Sequence, residues 1–330
     1  MNGPNQRRLR GGSGGAHGCH SPDEVPPGHA TLSNLEASAG RPAACNRPPD
    51  CGKIGDVAKP TTMSFGAVGL LILLAGGMPA QELPQATMEH GAFAFPDPGG
   101  SRLLTLANPS QPALLHTALC NGGGRFSVRF ERRQAEIKGH NGRHTPNNFD
   151  KLEGDVFTVL QGKIEESANC FLASDSLLSS ATVLPAEPQA TFNECEPDVR
   201  LGLASSRSRE VLHCWTIARL PANRRLVLVE FARRDKDALA SVALIDGNRI
   251  IFADYPAVFK GEGEDLWRVE DGGVLSATDF QVVFLLQRGS FYTLGISWLG
   301  AEGRSLAVFV SQGNNRFTRV LAGYWYRMPV

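Results

Sequence analysis

The chain has no surplus of either charge: Lys+Arg and Asp+Glu are both 33, so the formal net charge is zero. That balance points to neither a polyanion nor a basic partner, and no nucleic-acid role is expected. Long apolar runs are also missing. Beyond residue 80, no segment approaches the roughly 18 consecutive apolar residues from which a spanning helix is read, so no integral membrane domain is expected. Catalytic signatures are absent too. No G-x-S-x-G follows residue 62, and neither H-E-x-x-H nor a P-loop occurs. Paired metal ligands of the C-x₂-C kind are lacking, even around Cys19 with His17 and His20 or at Cys45 and Cys51. No metal site and no cofactor are expected.

Of the 330 residues, 42% are hydrophobic, which suffices for a packed core. The first 62 residues stand apart. They are rich in Gly, Pro, Ala, Asn and Arg, as in Arg7-Arg8-Leu9-Arg10-Gly11-Gly12, and hold almost no aliphatic or aromatic side chains. Such a stretch cannot bury enough apolar surface to offset its ordering entropy. It reads as disordered, or as upstream sequence translated ahead of a true start at Met63.

Residues 63–80 read as a signal peptide. The apolar run from Phe65 through Leu74 ends at Gly76-Gly77 and Pro79, with Ala80 before Gln81 as a processing site. The run is shorter than the roughly 20 residues of a spanning helix and close to the apolar region of a secretory signal. Its basic flank is poor, since Lys59 lies outside Met63. Met78 stands where a lipidated cysteine would be expected. Periplasmic or secreted location follows. Cys120, Cys170, Cys195 and Cys214 lie beyond the signal, an even number that suits disulfides in an oxidising compartment. Among the connectivities open to them, Cys120–Cys170 with Cys195–Cys214 keeps each bridge local to one half of the chain. Free buried thiols are the alternative.

The fold class expected is all-β, mainly antiparallel sandwich or barrel-like sheets with room for one short helix. Phe126, Val128 and Phe130 alternate with polar residues, as in a half-buried strand, and Asn121-Gly122 supplies a hairpin turn before them. Strand patterns recur at 209–219, 225–232, 238–245, 249–254, 266–270, 280–287, 291–299, 305–311 and 317–326. The best helical spacing, at 165–181, is weak. The organisation expected is a β-rich subdomain at 86–180, a linker or long loop at 181–204 and an antiparallel β domain at 205–330. Residues 227–254 also lie over 283–310 without a gap, which suggests either duplication or the likeness of any two meanders. In the strand 280–287, Phe284 is expected to be deeply buried. Its neighbour should turn Tyr292, Leu294, Ile296 and Trp298 inward and Thr293 to the opposite face.

Few side chains suggest a site. The loop 140–150 gathers His140, His144 and Asp150, but Asn141-Gly142 and Pro146 forbid the helix that would align both imidazoles. His213 and Cys214 point to opposite faces of one strand and so cannot pair with each other. Gly122-Gly123-Gly124 opens a strand rather than a helix, which favours a turn over a phosphate cradle. Arg132-Arg133, Arg224-Arg225 and Arg233-Arg234 sit at strand ends, where they protect sheet edges or grip an anionic glycan or lipid headgroup. Tyr324-Trp325-Tyr326 either completes the core or leaves Trp325 or its neighbours exposed for sugar stacking. The function expected is an exported envelope protein that binds an envelope or extracellular protein or a glycan. A secreted hydrolase with a site assembled from distant loops is the alternative.

Overall fold

The computed structural model describes residues 91–189, 191–261, 266–267, 275–300 and 302–327. The extension 1–62, the segment 63–80 expected to be a signal peptide and most of the strand expected at 266–270 lie outside them. All described residues belong to one compact unit, Leu74–Val330.

The first part is a small closed barrel. Its strands are β1 (Ala92–Pro96), β2 (Arg102–Thr105), β3 (Leu115–Cys120), β4 (Gly124–Gln134), β5 (Gly154–Val159) and β6 (Cys170–Ser174). They close in the order β1-β2-β5-β4-β3-β6. As the alternation requires, Val128, Phe126 and Phe130 face the barrel interior with Leu103, Phe157 and Leu172. A helix of one turn, α1 (Asp175–Leu178), follows β6, inside the stretch where helical spacing is weakly present.

The second part is a ten-stranded sheet curled into a half-barrel. Two short strands, β7 (Thr182–Val183) and β8 (Glu187–Pro188), and a helix, α2 (Pro197–Arg207), precede its main strands. These are β9 (Val211–Leu220), β10 (Arg224–Arg234), β11 (Asp237–Asp246), β12 (Arg249–Val258), β13 (Phe280–Arg288), β14 (Phe291–Gly300), β15 (Gly303–Gln312) and β16 (Arg316–Tyr326). Residues 181–204 are thus tied into the sheet: β7 pairs with β13, and β8 with β9.

The sheet order is β7-β13-β14-β15-β16-β12-β11-β10-β9-β8. It consists of two four-strand meanders, β9 to β12 and β13 to β16, joined edge to edge. Position in the meander equates β9 with β13 and β10 with β14. The ungapped match of 227–254 to 283–310 lays β10 over β13 instead, so it does not follow the topology.

Each meander carries its own cover. Leu203 of α2 packs on Val227, Val229 and Phe231 beneath the first. The outside of the small barrel, through Phe93, Phe95, Phe149 and Phe171, packs on Val283, Phe284, Val308 and Trp325 of the second. Both disulfides form, Cys120–Cys170 between adjacent barrel strands and Cys195–Cys214 between the loop before α2 and β9.

A bulge between Val282 and Phe284 fixes the faces of β13. The β3–β4 turn caps it: the amides of Gly122 and Gly123 both donate to the Val283 carbonyl, at 3.0 and 3.1 Å. Gly122 has φ +85°, and a Cβ there would lie 2.3 Å from the Ala186 carbonyl oxygen, so glycine is required. Phe284 is fully buried as expected, but it faces the small barrel and lies over Gly295. Thr293 shares that face, because Leu286 pairs with Thr293 just as Phe284 pairs with Gly295. It is 0% exposed. Thr293 thus lies opposite Tyr292, Leu294 and Ile296, as expected, but that face is no less covered: the half-barrel interior covers Tyr292, Leu294 and Ile296, and the second layer covers Thr293.

Candidate functional site

The joint between the meanders is narrow. β12 and β16 run parallel and meet at one residue pair, Phe252 with Arg316. On its other edge β12 is paired with β11 along its whole length, and β16 is likewise held by β15. Past the joint the two strands part and open a cavity of about 850 Å³ into the half-barrel. That volume is in the range of ligand sites.

Aromatic rings form its wall. Phe280 and Trp298 stack at 6.3 Å between centroids, and Tyr255 stands edge-on to them at 5.9 and 5.2 Å. Trp267 donates its indole N–H to the Tyr255 carbonyl at 2.8 Å, which anchors it at the seam. Phe309 and Phe317 complete the apolar surface. The Tyr255 hydroxyl is buried without a hydrogen-bond partner among the described residues. Burial raises its pKa well above the usual phenol value, so it stays a neutral donor.

Polar side chains ring these aromatics: Asp254, Gln312, Asn314, Arg316, Thr318 and Arg319. Asp254 is held by the Arg207 guanidinium and by the Ser241 hydroxyl at 2.7 Å. Among the described residues, Arg316 and Arg319 have no ion-pair partner and both are exposed. The described rim therefore has cationic donors to spare. A smaller cavity of about 390 Å³ lies at the other seam, between β9 and β13, and Phe280 borders both. There Gln281 donates to Asn121 Oδ1 at 3.1 Å, and Asn121 to Glu165 at 3.4 Å.

The residues singled out from sequence lie elsewhere. His140 Nε2 bonds Glu136 at 2.8 Å. His144 is half-buried, and its Nδ1 accepts the Tyr326 amide at 3.1 Å. Burial and the nearby Arg327 charge hold its pKa below the ordinary value. Asp150 is an exposed ion-pair partner of Arg102 at 2.9 Å. Trp325 is 0% exposed and edge-on to Phe95 at 5.8 Å, whereas Tyr324 is 46% exposed. The reading of Trp325 as an exposed stacking residue is thus corrected; the small barrel covers its face of β16. His213 stacks on Trp215 at 5.3 Å, and Cys214 is consumed by its disulfide.

The arginine pairs mostly tie the molecule together. Arg133 bonds buried Asp155 at 2.8 Å, Arg225 bonds Glu196 at 2.6 Å, and Arg224 reaches Gln287 and Tyr292 across the half-barrel. Among the described residues, no group of three His, Cys, Asp or Glu is placed to hold a metal, and no helix is long and apolar enough to cross a membrane.

Sequence reasoning missed Tyr255, Trp267, Arg316 and Arg319, and read Trp298 only as an inward-facing packing residue. The available signal was modest: Trp267 and Trp298 are two of only four tryptophans. Comparison with protein-family models, curated proteins and solved structures found no match.

Proposed function

We propose that this chain is an exported envelope protein, periplasmic or secreted, that binds an acidic glycan in the cavity between β12 and β16. The observation that carries the reading is that cavity of about 850 Å³, with Tyr255, Trp267 and Trp298 as its platform and Arg316 and Arg319 at its rim. Indole and phenol rings stack on the C–H faces of sugars, and amide and hydroxyl side chains such as Gln312, Asn314 and Thr318 suit sugar hydroxyls. Guanidinium forks match carboxylates. A wall so interrupted by polar groups is poor for a bare acyl chain. Two disulfides and the apolar segment before residue 80 support the compartment.

Binding is favoured over cleavage on chemical grounds. Glycoside hydrolysis ordinarily needs two carboxylates flanking the bond. Asp254 is the single carboxylate among the described lining residues, and Arg207 and Ser241 already engage it.

Tryptophan emission of the full chain, titrated with oligogalacturonate and with neutral cellohexaose, tests the reading. Oligogalacturonate should quench saturably and cellohexaose much more weakly. The double variant Arg316→Ala/Arg319→Ala should bind about ten-fold more weakly or worse, the loss of roughly 1.4 kcal/mol or more. Equal quenching of wild type and variant would overturn the assignment, as would no quenching by either sugar. Saturable capture of dansyl-undecanoic acid in place of both would make the occupant a lipid.

A further inference from the structure

We propose that Arg304, Arg327 and Trp325 form a binding site for a phosphate group at the junction of the small barrel and the half-barrel, separate from the seam cavity. Arg304 and Trp325 are direct cross-strand partners on β15 and β16, so their side chains leave the same face of the sheet. Arg327 follows Trp325 by two residues and returns to that face; its guanidinium carbon lies 4.2 Å from the centre of the indole ring.

Donors outnumber acceptors here. Arg304 Nε, Arg327 Nε, Arg327 Nη2 and Trp325 Nε1 are all buried, and none has a hydrogen-bond partner among the described residues. Among the described residues the Arg304 guanidinium donates from Nη2 to the Asp279 carbonyl at 3.3 Å. Native proteins leave few buried donors bare, and a gathering of them on one patch calls for an acceptor.

The charges make the same demand. The Arg304 charge reaches Arg327: burial, and then that charge, bring the Arg327 pKa down to about 10. Asp279 favours the charge on Arg304, but among the described residues no carboxylate acts on Arg327. His144, alongside, is held toward its neutral form by burial and then by the Arg327 charge, and so adds no third positive charge. Two half-buried like charges at close quarters are costly without compensation, which an anion would supply.

The geometry selects the kind of anion. A planar carboxylate offers two oxygens and one charge, which suits a single guanidinium fork. Two guanidinium forks and an indole N–H share one patch of the sheet, which suits a tetrahedral group bearing close to two charges. Both arginines are half-buried as residues while the unpaired donor atoms are covered, so an anion reaches those donors as the two side chains shift outward.

The test follows thermal unfolding of the full oxidised chain in inorganic phosphate and in chloride at matched ionic strength. A saturable, phosphate-specific rise in unfolding temperature is expected. Arg304→Gln and Arg327→Gln should each weaken the apparent affinity about ten-fold or more. Should either fail to fold, Arg304→Lys and Arg327→Lys keep the charge but lose the fork, and the same weakening is expected. Glycerol 3-phosphate distinguishes the source: a stronger response than to inorganic phosphate places the group on a larger molecule, and an equal response makes it the free ion. No difference between phosphate and chloride would overturn the site. So would an undiminished response in the double variant Arg304→Gln/Arg327→Gln.

Discussion

Thr293 offers the sharpest test of the packing. It is 0% exposed on β14, flanked by its cross-strand partners Leu286 and Val310, and its hydroxyl has no hydrogen-bond partner. An unpaired buried hydroxyl forfeits its hydration on folding, at a cost of about 1–3 kcal/mol. Thr293→Val keeps the shape, removes that cost, places a methyl group among apolar neighbours and raises strand propensity. Stability should therefore rise by about 1–3 kcal/mol, or roughly 2–4 °C in Tm for each kcal/mol in a domain of this size. Urea unfolding with the disulfides intact should show a higher midpoint at unchanged slope. Thr293→Ser is the control. It keeps the hydroxyl and loses the methyl, so it should destabilise by about 1 kcal/mol. If Val is neutral or destabilising, the hydroxyl has a partner after all, and the reasoning fails.

Phe284 is fully buried and lies 5.0 Å from Phe171 between ring centroids, so Phe284→Ala should cost about 3–5 kcal/mol in urea unfolding. Gly295→Ala should also destabilise, because the new Cβ would sit 2.2 Å from a Phe284 ring carbon; a neutral effect would mean that the ring moves freely. Thiol titration of the unfolded, unreduced chain should detect none of Cys120, Cys170, Cys195 and Cys214, and replacing Cys195 and Cys214 by Ala should cost about 2–4 kcal/mol. His144 has a folded-state pKa below its ordinary value, from burial first and Arg327 second. The unfolded chain then binds the proton more readily, so stability should fall as pH drops through about 6.5, and His144→Gln should flatten that slope. An unchanged slope in the variant would assign it to other groups.

The strands were legible because their signals are local. Period-two alternation and the turns at Gly247, Gly289 and Asn314-Asn315 place β10 to β16 within a few residues of their bounds. The bridges were legible because each stays within its half of the chain. Helix α2 was not: of its residues only Leu203 is fully buried, and Gly202 and the Ser205-Ser206 pair dilute the helical pattern. The faces of Thr293 and Trp325 depend on the small barrel covering the outside of the sheet, which no alternation within one strand can reveal. The seam cavity is less local still. It exists because β12 and β16, distant in sequence, touch at one point and then diverge.

That single point of contact also bears on motion and folding. Each meander is a run of hairpins that can assemble from near neighbours, and each has its own apolar cover. Neither disulfide crosses from one meander to the other: Cys120–Cys170 staples the small barrel, and Cys195–Cys214 fastens the approach to α2 onto β9. The halves therefore have the makings of two cooperative folding units that dock late. Amide exchange should be slow within both meanders and fast along the facing edges of β12 and β16. The sheet would then breathe at the mouth of the seam cavity.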